Sequence, residues 1–203
     1  VATDLTVAVL FALEREATPF RRLARGLPHV SVHVSGVGRK NAAEATRRLL
    51  RDSSPPRVVA AGFCGALLPS LRVGDVVCSP RILTVDHLVA DPAEKRRLAE
   101  RHQAEAVDME SAAVAEVCEA HGVPFRAVRA VSDTVDTALS PELVRLLSGG
   151  NVSPWRVLAA LARRPSLLGE FRRLARDTRT AARSLAVALV EVVCEGSPPQ
   201  PAA

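Results

Sequence analysis

Tyrosine is missing from this 203-residue chain, and aromatic residues of all kinds make up only 3% of it. Proteins that hold single-stranded nucleic acid stack its bases on aromatic platforms. This chain offers few such rings and matches no groove-reading motif, so no nucleic-acid partner is expected. The four cysteines, Cys64, Cys78, Cys118 and Cys194, never stand at C-x-x-C spacing, which speaks against a zinc or thioredoxin-like site. The five histidines show no ligand spacing either, and no metal is expected. The Gly-x-Ser-x-Gly elbow and the Walker loop are both absent. The apolar stretch Leu185 to Val190, like that from Val7 to Leu13, is far too short to span a bilayer. No secretory leader is visible, so the expectation is a cytoplasmic protein with reduced thiols.

What is present is enough for one core. Hydrophobic residues reach 48%, which suits a folded domain of this length rather than a disordered chain. Lys and Arg number 27 against 22 Asp and Glu, and the excess of +5 is not spread evenly. Between Trp155 and Val190 stand arginines 156, 163, 164, 172, 173, 176, 179 and 183, against only Glu170 and Asp177. Two readings of this basic segment stay open: a solvated helix face, or contact with anionic lipid or another acidic partner. The last residues, 196–203, read as a disordered tail, leaving residues 1–195 as a single domain with a basic helical part over 155–194.

Short apolar runs alternate with helical patterns. Val7 to Leu13, Val30 to Val34, Arg57 to Ala61, Val73 to Cys78 and Phe125 to Val131 read as strands. Glu14 to Leu23, Asn41 to Leu50, Glu94 to Gln103 and Ser111 to His121 read as helices, the last stopped by Gly122 and Pro124. Near the end, Leu167, Phe171, Leu174, Ala181, Leu185 and Leu189 form one apolar stripe with arginines opposite. This order predicts an α/β fold: a mixed, largely parallel central sheet covered by helices in three layers. Ligands in such sheets gather beyond the carboxyl ends of strands. Three polar clusters lie there: Glu14 with Glu16, a glycine loop Gly62-Phe-Cys-Gly65, and Ser132-Asp133.

Each cluster has an ordinary reading beside a chemical one. Asp133 follows an apolar strand and is either a turn or cap aspartate or a partly desolvated acid that shares a proton with a leaving group. Glu16 and Glu110 are each either a first-turn helix acid or a site carboxylate. Gly36 and Gly38 suit a phosphate-cradling turn, although two glycines at that spacing are a weak signal.

Taken in order, the motifs resemble the purine nucleoside phosphorylase/nucleosidase superfamily, over most of the chain from Val7 to about Asp136. Val7-Ala-Val-Leu-Phe-Ala-Leu-Glu-Arg-Glu16 is similar to the opening strand of methylthioadenosine/adenosylhomocysteine nucleosidases. Ser35-Gly-Val-Gly38 is similar to their Ser-Gly-Ile-Gly segment, and Gly62-Phe-Cys-Gly65 with Val73-Gly-Asp-Val-Val77 to their glycine loop and following strand. Val107-Asp-Met-Glu-Ser-Ala-Ala-Val-Ala115 resembles the Met-Glu ribose helix, and Pro124-Phe-Arg-Ala-Val-Arg-Ala-Val-Ser-Asp133 the Ser-Asp strand. The resemblance implies that Asp133 protonates N7 of a departing purine and that Glu16 activates the attacking water. It further implies that Glu110 holds the ribose hydroxyls while Met109 packs on the sugar. Val37, Phe63, Cys64, Gly65, Leu88, Val89 and Ser132 complete the implied substrate contacts. No metal or organic cofactor is implied, and inorganic phosphate is the co-substrate if the nucleophile is phosphate, with Arg39 as one arginine to bind it. A homo-oligomer is implied as well.

There are departures. Phe63-Cys-Gly-Ala66 stands where relatives often have Ser-Ala-Gly-Gly, Leu88 takes the place of a base-stacking aromatic, and the chain is short between Cys78 and Ile82. The compact pattern looks closest to the hopanoid-associated phosphorylases. Such a likeness implies adenine release from a lipid-linked adenosine such as adenosylhopane, with the arginine-rich segment at the membrane surface. The alternatives are a nucleosidase acting on methylthioadenosine, adenosylhomocysteine or futalosine, and a non-catalytic nucleoside- or lipid-binding protein of the same fold.

Overall fold

Seven strands form one sheet in the computed structural model, which describes residues 6–27, 29–147 and 167–195. In chain order the elements are β1 (Val7–Phe11), α1 (Glu14–Leu23), β2 (Val30–Val34), α2 (Arg39–Ser53), β3 (Val58–Ala66), β4 (Val76–Cys78) and β5 (Ile82–Thr84). They continue with α3 (Pro92–His102), β6 (Ala106–Asp108), α4 (Ser111–Ala120), β7 (Phe125–Asp133), α5 (Pro141–Leu147) and α6 (Leu167–Cys194). Trp155, arginines 156, 163 and 164, and the 196–203 tail lie outside the described residues.

The sheet is mixed and mostly parallel, as the alternation of strands and helices predicts. β1 lies between β2 and β3, and β3 pairs β7, all in parallel. β4 adds to β7 antiparallel, and β6 meets the end of β3 antiparallel while pairing β5 in parallel. Period-two alternation sorts the core into two layers. Val7, Val9, Phe11, Val59, Ala61, Val128 and Ala130 face α1 and α6, where Phe20, Ala181, Leu185 and Leu189 are buried. Ala8, Leu10, Val58 and Ala60 face α2 and α4, against Leu49, Leu50, Val114 and Val117. The apolar stripe of α6 is the one the sequence predicts, and arginines 172, 176, 179 and 183 lie on its exposed side.

Two local readings are corrected. Gly62-Phe-Cys-Gly65 is not a loop; β3 runs through it, because β7 continues alongside as far as Asp133. The expected strand from Val73 is only Val76–Cys78, since Gly74 sits at φ +96° in a turn. β1 and β6 both border β3, β1 at residues 58–61 and β6 at residues 65–66. Between them that edge of β3 is unpaired, and the gap opens the site.

Leu185 is fully buried against the sheet. Leu185→Ala is expected to cost roughly 2–5 kcal/mol in denaturant unfolding, whereas Arg179→Ala on the opposite side of the helix should stay within about 0.5 kcal/mol of wild type.

Candidate active site

A cavity of about 490 Å³ lies at the gap between β1 and β6, and the eleven catalytic and substrate-contact residues that the resemblance implies all line it, whereas Glu14, Gly36, Gly38 and Arg39 do not. Glu16 comes from the first turn of α1 and Val37 from the turn before α2. Phe63, Cys64 and Gly65 come from β3, with Ser132 and Asp133 from the end of β7. Leu88 and Val89 come from the segment after β5, and Met109 and Glu110 from the link between β6 and α4.

Glu16 is held from two directions. Its Oε2 accepts from Leu13 N–H at 3.0 Å, the backward half of a capping box. Its Oε1 accepts from Phe63 N–H at 3.2 Å, on the unpaired edge of β3. The Phe63 departure therefore leaves the backbone donor intact, and the side chain packs with the α1–α6 core layer. Burial pushes the Glu16 carboxyl up to about 7, although Arg129 pulls the other way.

Arg129, only 1% exposed, organises the other carboxylates. Its Nη2 lies 2.7 Å from Asp108 Oδ2 and its Nη1 3.7 Å from Glu110 Oε2, while Nε donates to Ser111 Oγ at 3.2 Å. Burial opposes its charge, but the carboxylates of Asp108, Glu110 and Glu16 together more than restore it, so its affinity for the proton is raised. Glu110 is itself raised by burial, against the opposing pull of Arg129, and its Oε1 accepts from Gly38 N–H at 2.8 Å. The Gly36–Gly38 turn thus presents an amide to a carboxylate of the protein. Arg39 is likewise engaged, by Glu116 at 2.8 Å and Asp86 at 3.5 Å.

Asp133 lies against Gly65, three residues along β3 from Gly62, where Glu16 and Arg129 gather. Its Oδ1 accepts from Ser132 Oγ at 2.9 Å, and its Oδ2 is ion-paired with Lys95. Cys64 is a buried thiol whose pKa is driven up by desolvation, which makes it a wall and not a nucleophile. No cluster of His, Cys, Asp and Glu suited to a metal occurs among the described residues.

Sequence reasoning missed Arg129, Asp108 and Lys95. The signal for Arg129 is a lone arginine inside the apolar run Phe125 to Val131, which demands buried counter-charge. Lys95 carries no such mark, since Lys95-Arg-Arg97 looks like a solvated run on a helix. It also missed the far wall, where Leu139, Val144, Leu174 and Thr178 add a mostly apolar side from α5, α6 and the segment before α5.

A model of the phosphorylase superfamily matches residues 13–83 and 80–146. The chain is 30% identical over 158 residues to a 5'-methylthioadenosine/S-adenosylhomocysteine nucleosidase of Haemophilus ducreyi, covering 53% of this chain and 68% of that one. It is 28% identical over 151 residues to the enzyme of the same name from Bacillus cereus, covering 49% and 65%. Among solved structures, the Neisseria meningitidis 5'-methylthioadenosine/S-adenosylhomocysteine nucleosidase with methylthio-immucillin-A superposes with TM-score 0.70 at 20% identity, over 94% of this chain and 99% of that one. Futalosine hydrolase of Helicobacter pylori superposes with TM-score 0.69 at 17% identity, over 96% and 100%. At these identities the structures share the fold.

Glu16 supplies a pH signature that needs no substrate. The folded state holds its proton more tightly than the unfolded chain, so its contribution is full below pH 4.5 and is lost as pH rises through about 7. Glu16→Gln, neutral throughout, should gain on wild type by up to roughly 3 kcal/mol between pH 5 and 8 in thermal unfolding. A difference that stays flat across that range would contradict the assignment.

Proposed function

This chain belongs to the phosphorylase superfamily, and from that premise we propose that it hydrolyses the N-glycosidic bond of a purine nucleoside. The observation that carries the reading is that Glu16, Glu110 and Asp133 all line one cavity. Cleavage of that bond builds positive charge on the ribose and negative charge on the base. Asp133 gives a proton to N7 of the departing purine, Glu110 holds the ribose hydroxyls with Met109 against the sugar, and Glu16 takes a proton from the attacking water. Carboxylates serve related ends around oxocarbenium-like sugars in glycosidases.

Water is favoured over phosphate as the nucleophile. Gly38 N–H is committed to Glu110, and Arg39 to Glu116 and Asp86, so the two groups best suited to a phosphate already have carboxylate partners. The base is adenine in this reading, and the 5′ group is bulky and apolar, with adenosylhopane as the candidate. The wall of Leu139, Val144 and Leu174 supports an apolar substituent. Leu88, in place of an aromatic, leaves the base side contacted by an aliphatic residue. The reading extends to a homo-oligomer and to peripheral contact with anionic membrane through arginines 172, 176, 179 and 183, which share one exposed stripe of α6. Among the described residues no helix is long and apolar enough to cross a membrane.

Adenine release from a panel of adenosine 5′-derivatives, adenosylhopane included, is expected without phosphate and unchanged by adding it. Asp133→Asn should lower kcat by about 10²–10⁴-fold. No release from any member would move the assignment to another base or to a binding protein. Flotation with phosphatidylglycerol vesicles at low salt should carry the protein upward and fail for the fourfold Arg→Ala variant of the stripe. Equal recovery of both proteins would remove the membrane part alone.

A further inference from the structure

Lys95 is 0% exposed, on a helix whose neighbouring arginines are solvated. An ammonium brings three donors and no acceptor, and leaving any donor unpaired at such depth is costly. All three are used in one place. Nζ donates to Asp133 Oδ2, to Thr134 O at 2.8 Å and to Thr137 O at 3.4 Å. The helix start is fixed by Asp91, whose side chain accepts from Ala93 N–H at 3.0 Å, with Pro92 in the first turn. The sheet makes room for the pair: a Cβ on Gly65 would stand 3.1 Å from Asp133 Oδ2 and 3.7 Å from Lys95 Cε. Arg96 and Asp136 form a second, exposed ion pair between the same helix and the same segment.

A carboxylate ionised against an ammonium has no proton of its own to give. If Asp133 protonates the leaving purine, the nearest proton is on Lys95. We propose that Lys95 is a positioning residue that also supplies this proton, so that Lys95 and Asp133 act as one acid; the proposal rests on the N-glycosidic reading above. One N–H bond of Lys95 breaks as an O–H bond forms on Asp133. That proton passes to N7 while the electron pair of the C1′–N9 bond moves onto the purine. The attacking water forms the new C1′–O bond and loses a proton to Glu16, and solvent carries an equivalent proton back to the lysine. A departing purine anion is an amine-like base, far stronger than a carboxylate, so an ammonium is a well-matched ultimate donor.

The test compares Lys95→Met and Lys95→Arg with wild type on two substrates: 5'-methylthioadenosine, whose base needs a proton, and 4-nitrophenyl ribofuranoside, whose phenolate leaves without one. Lys95→Met should lose about 10²-fold or more in kcat on the adenine nucleoside, with KM within a few-fold, and under about 5-fold on the nitrophenyl riboside. Lys95→Arg keeps the charge but does not release its proton, and it should lose kcat on the adenine nucleoside to a similar extent. Equal losses on both substrates, or an arginine variant that keeps more than about a tenth of wild-type kcat, would reduce Lys95 to a structural role and leave the glycosidic reading standing. Where 5'-methylthioadenosine is not cleaved, the best-cleaved adenosine 5′-derivative of the panel above takes its place, and wild type cleaving no member of that panel overturns that reading and this proposal with it. Melting temperatures of the variants exclude unfolding as the cause of a loss.

Discussion

A guanidinium locked inside the sheet is the constraint around which the site is built. Arginine stays protonated in proteins, so Arg129 at 1% exposure needs counter-charge wherever β7 puts it. The counter-charges come from different parts of the chain. Asp108 ends β6, Glu110 precedes α4, and Glu16 sits in the first turn of α1. Asp108 also accepts from Thr84 Oγ1 at 2.6 Å and from Ser111 N–H at 3.0 Å, which ties β5 and α4 to the same charge. Removing the guanidinium would therefore release several elements from one another. The approach depends on Gly62, where any Cβ would lie 2.3 Å from Arg129 Nη1.

Strand β3 separates this cluster from the Asp133–Lys95 pair. Gly62 and Gly65 are three residues apart, on the order of 10 Å along an extended chain, and side chains three apart point to opposite faces. Arg129 and Glu16 gather at the first glycine, and Asp133 and Lys95 at the second. β7 slips by one residue against β3 between Cys64 and Gly65, where Asp133 pairs with Gly65 instead of Ser132. Such an extra residue redirects the side chain that follows it. The Asp133–Lys95 pair and the Arg129–Glu16 cluster are thus set apart by backbone register and not by a flexible loop.

Much of this was readable in advance, for identifiable reasons. Strands and helices showed because β1, β3 and β7 are covered on both faces and write continuous apolar runs, while α6 writes a helical stripe. Position alone left Glu16, Glu110 and Asp133 open between cap or turn acids and site carboxylates, and it was the ordered motif resemblance that singled them out. The glycine segment was misread because Gly62 and Gly65 look like punctuation in one dimension. Only the facing Arg129 and Asp133 explain why a strand lacks side chains there. Lys95 was invisible for a similar reason. A lysine among arginines on a helix looks solvated until the sheet and the residues after β7 close over it. Partners supplied by another element leave no local trace in sequence.

The charge balance of the carboxylate cluster bears on what approaches the sugar. Three carboxylates face one guanidinium there, and burial already pushes Glu16 and Glu110 toward their protonated forms. With those two carboxyls toward neutral and the guanidinium matched by Asp108, a phosphate dianion would find no spare positive charge among these groups. Neutral water needs no such counter-charge, and under the proposed reading it would meet in Glu16 a carboxyl with a pKa of about 7, near the value that suits a general base at neutral pH. The same burial that disfavours a further anion beside the cluster raises the Glu16 carboxyl. Desolvation of Glu16 is thus the one physical cause behind both, and it follows from the seat of α1 against the unpaired edge of β3.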